Sequence, residues 1–187
     1  MDLNEWFDKG MSGQEYIDSM NVNRKELLHI YQQFSLSDED IRLYERLKKQ
    51  QLRGIVLTAD WCGDAMLCVP ILMRIAEAAQ IEMRYLIRDE NLELMDQYLT
   101  NGKSRSIPIF IFIDQQGEEQ AVWGPRAPEV QRLVDELKES FPSADDPEFE
   151  QKRKELYQGL KVQLVNRTDL WEAVHRSVKE TLQMLDS

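Results

Sequence analysis

The sequence predicts an α/β fold built on one strand–helix unit, with further helices on both sides of it. Three observations carry this. An apolar run at 55–59 passes directly into a long apolar helical pattern. A second run at 109–114 is followed by a turn and a return strand. Stripes of helical period lie before and after these segments. Short apolar runs bounded by turn residues read as buried strands, and longer patterns with a 3.6-residue period read as helices.

Before the first strand lie three helical stretches. Ser12-x-x-Glu15 has the form of a capping box. Asn23 can cap a helix whose apolar residues include Leu27, Leu28, Ile30, Tyr31 and Phe34. Ser37-Asp38-Glu39-Asp40 opens another, with Ile41, Tyr44 and Leu47 at helical spacing. Core packing explains these stripes. Beyond the first strand, Ala65, Met66, Leu67, Ile71, Leu72, Ile75, Ala76 and Ala79 give the apolar helical pattern. Residues 109–114 read as a strand, 115–117 as its turn and 118–123 as the return strand, and a helix over 128–140 follows. Residues 141–147 are a break. There Asp146 with Pro147 makes a helix start, and the helix reaches about Gln158. Thr168 can cap a final helix bearing Trp171, Val174, Val178, Leu182 and Leu185. Such a stripe docks on its own domain; left uncovered, it would be a homodimer interface or a partner groove.

Formal charge is −11, from 34 acidic against 23 basic residues among 187. That excess disfavours nucleic acid and anionic membranes as partners, and no basic block or aromatic–basic alternation argues otherwise. Residues 1–20 are charged, without the continuous apolar core of a signal peptide. No apolar run approaches bilayer length. Two cysteines not spaced for a structural disulfide point to the reducing cytoplasm. His29 and His175 are far apart and suggest no metal site, and the glycines form no phosphate-binding loop.

The chemistry concentrates at Trp61-Cys62-Gly63-Asp64-Ala65-Met66-Leu67-Cys68-Val69-Pro70. A Cys-x-x-Cys redox site would place its second cysteine at Ala65, and the other cysteine lies three residues further on. If Cys62 opens the helix, the six residues to Cys68 rise about 9 Å and turn the side chains to different faces. Disulfides need Cα atoms closer than about 7 Å, so the two thiols are read as unpaired. Cys68, in an apolar helical stretch, behaves as a small buried hydrophobe. Cys62 sits where unpaired N–H groups and the helix dipole favour a thiolate, while the charge of Asp64 opposes it. The net shift cannot be signed from these two effects.

Trp-Cys-Gly after a buried strand, with Pro70 eight residues beyond the cysteine, resembles the thioredoxin superfamily. Ser106-Ile107-Pro108-Ile109-Phe110 resembles the cis-proline segment that faces the active-site cysteine there, and Gly124 follows the hairpin as a family glycine does. The resemblance implies a thioredoxin-like core, a central mixed sheet flanked by helices, over residues 38–140. Residues 1–37 would be an N-terminal helical extension and 141–187 a C-terminal one packed on the core. The site is similar to that of a divergent bacterial thioredoxin-like group with Trp-Cys-Gly-Asp-Ala. Two departures matter: Ala65 replaces the resolving cysteine, and Val56 stands where thioredoxins carry a buried aspartate that serves that thiol.

What the resemblance implies is a thiol-disulfide oxidoreductase lacking the resolving cysteine and needing no cofactor. Cys62 would exchange with protein disulfides or low-molecular-weight thiols in cell redox homeostasis. Trp61, Gly63, Asp64, Ile107 and Pro108 would shape the docking surface, the Ile107 backbone pairing with the substrate strand. The alternative is a non-catalytic thioredoxin-fold adaptor that binds a protein in the same groove or on the extensions. A peroxidatic thiol is a third reading. The local sequence supplies neither the arginine nor the threonine that such sites use.

Overall fold

A computed structural model of the chain describes residues 1–186. Among them, β1 (Arg53–Thr58), β2 (Glu82–Ile87), β3 (Ile109–Ile113) and β4 (Glu119–Trp123) form one mixed sheet in the order β2-β1-β3-β4. β1 runs parallel to β2 and antiparallel to β3, with Val56 opposite Tyr85 on one side and Phe110 on the other. β3 and β4 form an antiparallel hairpin with an irregularity at Phe112 and Ile113. Every residue of β3, Ile-Phe-Ile-Phe-Ile, is buried, as a central strand covered on both faces requires. β4, at the edge, buries only Trp123.

The helices are α1 (Leu3–Lys9), α2 (Gly13–Ser19), α3 (Arg24–Gln33), α4 (Asp38–Leu47), α5 (Gly63–Ala79), α6 (Leu92–Met95), α7 (Pro128–Glu139), α8 (Phe149–Asn166) and α9 (Thr168–Gln183). α5 is the central one, touching α3, α4, α8 and α9, so its apolar residues run almost all round it. Pro70 lies inside α5 and costs it one backbone bond without ending it. The other edge of the sheet is covered locally. Met11 exchanges both backbone hydrogen bonds with Tyr85 of β2, at 2.9 Å each. Tyr16 then stacks on Tyr85 and bonds Thr58 of β1 at 3.0 Å.

The Ser12–Glu15 capping box forms, and Ser37 caps α4 through the Asp40 amide. Elsewhere the structure corrects the sequence reading. A fourth N-terminal helix, α1, begins at Leu3 with Asp2 as its cap. Asn23 stands at the start of α3 in a left-handed rather than extended conformation and its side-chain oxygen caps nothing, while its amide nitrogen donates to the Asp60 carbonyl at 2.9 Å. The link between β2 and β3 carries only the single turn of α6. Pro147 lies ahead of α8 rather than in its first turn. Asp146 instead closes a turn by accepting from the Glu148 amide at 2.8 Å, and Phe149 packs edge-on to Phe141. α8 runs past Gln158 to Asn166, where Leu160 and Leu164 bury. Thr168 is the first residue of α9, not its cap.

The α9 stripe is spent within the chain: Trp171, Val174, Val178 and Leu182 are buried, and the helix touches α5, α7 and β4. A polar lock joins α9 to α4. His175 Nε2 meets Tyr44 Oη at 2.9 Å, and Lys179 Nζ meets Asp40 Oδ1 at 2.7 Å. Burial lowers the pKa of His175, against the pull of Asp40 and Glu172. No described helix is long and apolar enough to cross a membrane.

Candidate functional site

β1 delivers the chain through Ala59 and Asp60 to Trp61 and Cys62, and α5 begins at Gly63. Cys62 is the N-cap of α5, in extended conformation, and its sulfur accepts from the Ala65 amide at 3.5 Å. Its thiol donates to the Ile107 carbonyl, also at 3.5 Å, so the sulfur faces the Ile107–Pro108 segment. The Ile107–Pro108 peptide bond is cis. Gly124, at φ +131°, lies against this segment; a Cβ there would collide with the Pro108 carbonyl oxygen, so only glycine fits.

The electrostatics settle what the local sequence left open. Cys62 is 8% exposed, and its pKa is pushed up to about 11. Burial is the largest cause and the Asp64 charge the next; the Ala65 and Asp64 amides and the Arg126 charge oppose them. The favourable helix start is therefore outweighed by desolvation. Asp64 is itself largely buried and holds Arg126 through Nε at 2.9 Å and Nη2 at 2.8 Å. Burial pushes the Asp64 carboxyl upward, and the Arg126 guanidinium opposes that shift. Cys68 is buried, its thiol pointing to the Pro125 carbonyl at 3.8 Å, and burial raises its pKa well above the ordinary value. Both cysteines are free. Ala65, at the missing-cysteine position, is 1% exposed.

Trp61, Cys62, Gly63, Asp64 and Ile107 share one groove of about 1040 Å³, whereas Pro108 lies buried behind Ile107. Trp61 is half exposed, with the Arg88 guanidinium 4.8 Å from its ring centre. A cleft of about 610 Å³ between α7 and α8 contains neither cysteine.

Tertiary structure adds residues that the sequence reading missed. Asp60 accepts from the Asn21 and Val22 amides at 2.8 and 3.2 Å, so the segment before α3 clamps the loop that carries Trp61. No local signal marks this contact, because the two amides lie 39 and 38 residues before Asp60. Arg126 reaches the site from a position 62 residues beyond Asp64, and its guanidinium is committed to that carboxylate. α8 contributes Arg153, Lys154 and Lys161 to the opposite wall. Among the described residues, no group of three or more His, Cys, Asp or Glu side chains could hold a metal ion.

A mixed sheet with a helix-capping cysteine set against a cis-proline segment defines a thioredoxin-fold protein. Residues 10–138 match the sequence profile described as Thioredoxin, and the chain belongs to that family. Among solved structures, it is similar to PA1234, a protein of unknown function from Pseudomonas aeruginosa, at 15% identity and TM-score 0.61, over 88% of this chain and 95% of that one. An HIV epitope-scaffold is similar at 16% identity and TM-score 0.58, over 94% and 98% of the two chains. These likenesses concern the fold alone. A search of curated proteins finds no match.

Proposed function

We propose that the protein carries out thiol-disulfide exchange through Cys62 alone. The observation that supports this is the setting of its sulfur, at the start of α5, 3.5 Å from the Ile107 carbonyl and on the wall of an open groove. Cys62 loses its proton to solvent, and its thiolate attacks one sulfur of a bound disulfide. A Cys62–substrate disulfide forms, and the other sulfur leaves as a thiolate that takes up a proton. An external thiol then attacks the substrate sulfur, regenerates Cys62 and departs as the new disulfide. With Ala65 in the resolving position, no second thiol of the chain can perform that release.

A pKa of about 11 leaves roughly one thiolate in 10⁴ at neutral pH, so the first step is slow. This same observation favours a second reading, in which the groove binds a protein and Cys62 stays reduced. Treatment with oxidised glutathione at pH 7 and pH 9, followed by mass spectrometry, separates the two. Exchange gives an adduct on Cys62 that forms faster at the higher pH. No adduct in the folded protein, with ready modification after unfolding, would support the adaptor.

A further inference from the structure

We propose that the groove beside Cys62 receives an extended acidic peptide segment, the stretch of a partner protein that flanks the sulfur to be exchanged. This deepens the thiol-exchange reading and rests on it for the role of Cys62. The charge of the groove is opposite to that of the chain. Its walls carry Arg88, Arg105, Arg126, Arg153, Lys154 and Lys161 against the single acid Asp64, in a chain of formal charge −11. These cations come from four places far apart in sequence: the turn after β2, the approach to β3, the approach to α7, and α8.

Only Arg126 is neutralised inside the groove, by Asp64. Arg88, Arg105, Arg153 and Lys161 pair with Asp89, Asp96, Glu150 and Glu26, none of which lines it. Exposed pairs of this kind are worth at most about 1 kcal/mol and exchange readily for a ligand carboxylate. Lys154 makes no ion pair among the described residues.

Extent and lining select the class of anion. The basic wall of α8 runs from Arg153 to Lys161, a rise of about 12 Å. The groove volume, about 1040 Å³, is at the upper end of what small ligands fill. A compact anion would engage one part of such a wall, whereas an extended chain can follow it. Between the cations lie Val134, Leu160, Leu164 and Ile107, an apolar floor that peptide side chains can cover. The acidic remainder of the surface, in a chain of formal charge −11, repels a polyanion that extends beyond the groove.

Binding is tested on the Cys62→Ser protein, so that the result does not depend on thiol chemistry. Short fluorescein-labelled peptides rich in glutamate, serine or lysine, and a single-stranded oligonucleotide, are titrated by anisotropy. The glutamate peptide is expected to bind at least about tenfold more tightly than the others and to weaken as salt rises. The Arg153→Glu/Lys154→Glu double variant, changed only on the exposed face of α8, should lose that preference while keeping its circular dichroism spectrum. Equal binding of the serine peptide, preference for the oligonucleotide, no effect of charge reversal, or no binding would each overturn the proposal. An unreactive Cys62 together with acidic-peptide binding would reject thiol exchange and leave the groove assignment standing.

Discussion

Arg126 binds Asp64 in a two-nitrogen ion pair, at 2.8 and 2.9 Å, immediately beside the Cys62 thiol. The pair places opposite charges near one sulfur, and they act on it in opposite directions. Asp64 raises the pKa of Cys62 and Arg126 lowers it, while burial exceeds both. The site is therefore tuned by Asp64 of the local motif together with Arg126, which lies outside it.

Asp64→Asn removes the second-largest cause of the raised pKa and leaves the Arg126 charge beside the sulfur. In a Cys68→Ser background, alkylation of Cys62 by iodoacetamide at pH 8 should accelerate several-fold, up to about tenfold for one pKa unit. Arg126→Met should slow it, because Asp64 then acts uncompensated. Equal rates in all three proteins would show that burial alone controls the thiol.

Ala65→Cys should introduce weak dithiol activity in insulin reduction, because a cysteine there follows Cys62 at the redox-pair spacing. Activity stays partial for two reasons visible in the fold. Ala65 is buried, so the added sulfur must be fitted into a packed position at a cost of about 1–3 kcal/mol. Val56 is also buried and supplies no base for the new thiol. Activity equal to that of an ordinary dithiol thioredoxin would contradict this.

Gly124→Ala should destabilise the protein by about 1–3 kcal/mol through its backbone conformation alone, with the collision at the Pro108 carbonyl added. Urea unfolding measures the loss, and the reactivity of Cys62 should change with it, because Ile107 and Pro108 shift together. A neutral substitution would mean that the segment facing the thiol is not held by close contact with Gly124.

His175 gives stability an acid limb in the range where histidine titrates. Its pKa in the folded protein is lowered, chiefly by burial, while Asp40, Glu172, Lys179 and Tyr44 surround it. The unfolded chain thus binds more protons as pH falls from about 6.5, and stability present above that value is lost toward the folded-state pKa. Urea midpoints between pH 5 and pH 8 should fall on the acid side, and less so in His175→Gln. An unchanged acid limb in the variant would place the titration elsewhere.

The regular core was legible because its signals are local. The 55–59 run became β1, the apolar pattern after Cys62 became α5, and the Ile-Phe-Ile-Phe-Ile run became β3. The capping box at Ser12 and the cap at Ser37 formed as their spacing dictates. What the sequence could not convey depends on segments meeting in space. The pKa of Cys62 is set mainly by burial, and burial is a property of the whole fold. Arg126 finds Asp64 across 62 residues, and α8 brings its cations to a site coded a hundred residues earlier. The start of α8 was misread because Asp146 could equally cap a helix or close a turn, and the contact of Phe149 with Phe141 accompanies the turn.

In the proposed mechanism Cys62 works without a resolving thiol in the chain. The most direct test is turnover of a peptide disulfide as the concentration of an external thiol is varied. Turnover above the uncatalysed background is expected, rising with external thiol while release is limiting, with the Cys62–peptide disulfide trapped when thiol is withheld. Cys62→Ser should abolish it and Cys68→Ser should leave it intact. Repeated turnover without external thiol, beyond the one thiol released per Cys62, or activity that survives Cys62→Ser, would contradict this mechanism.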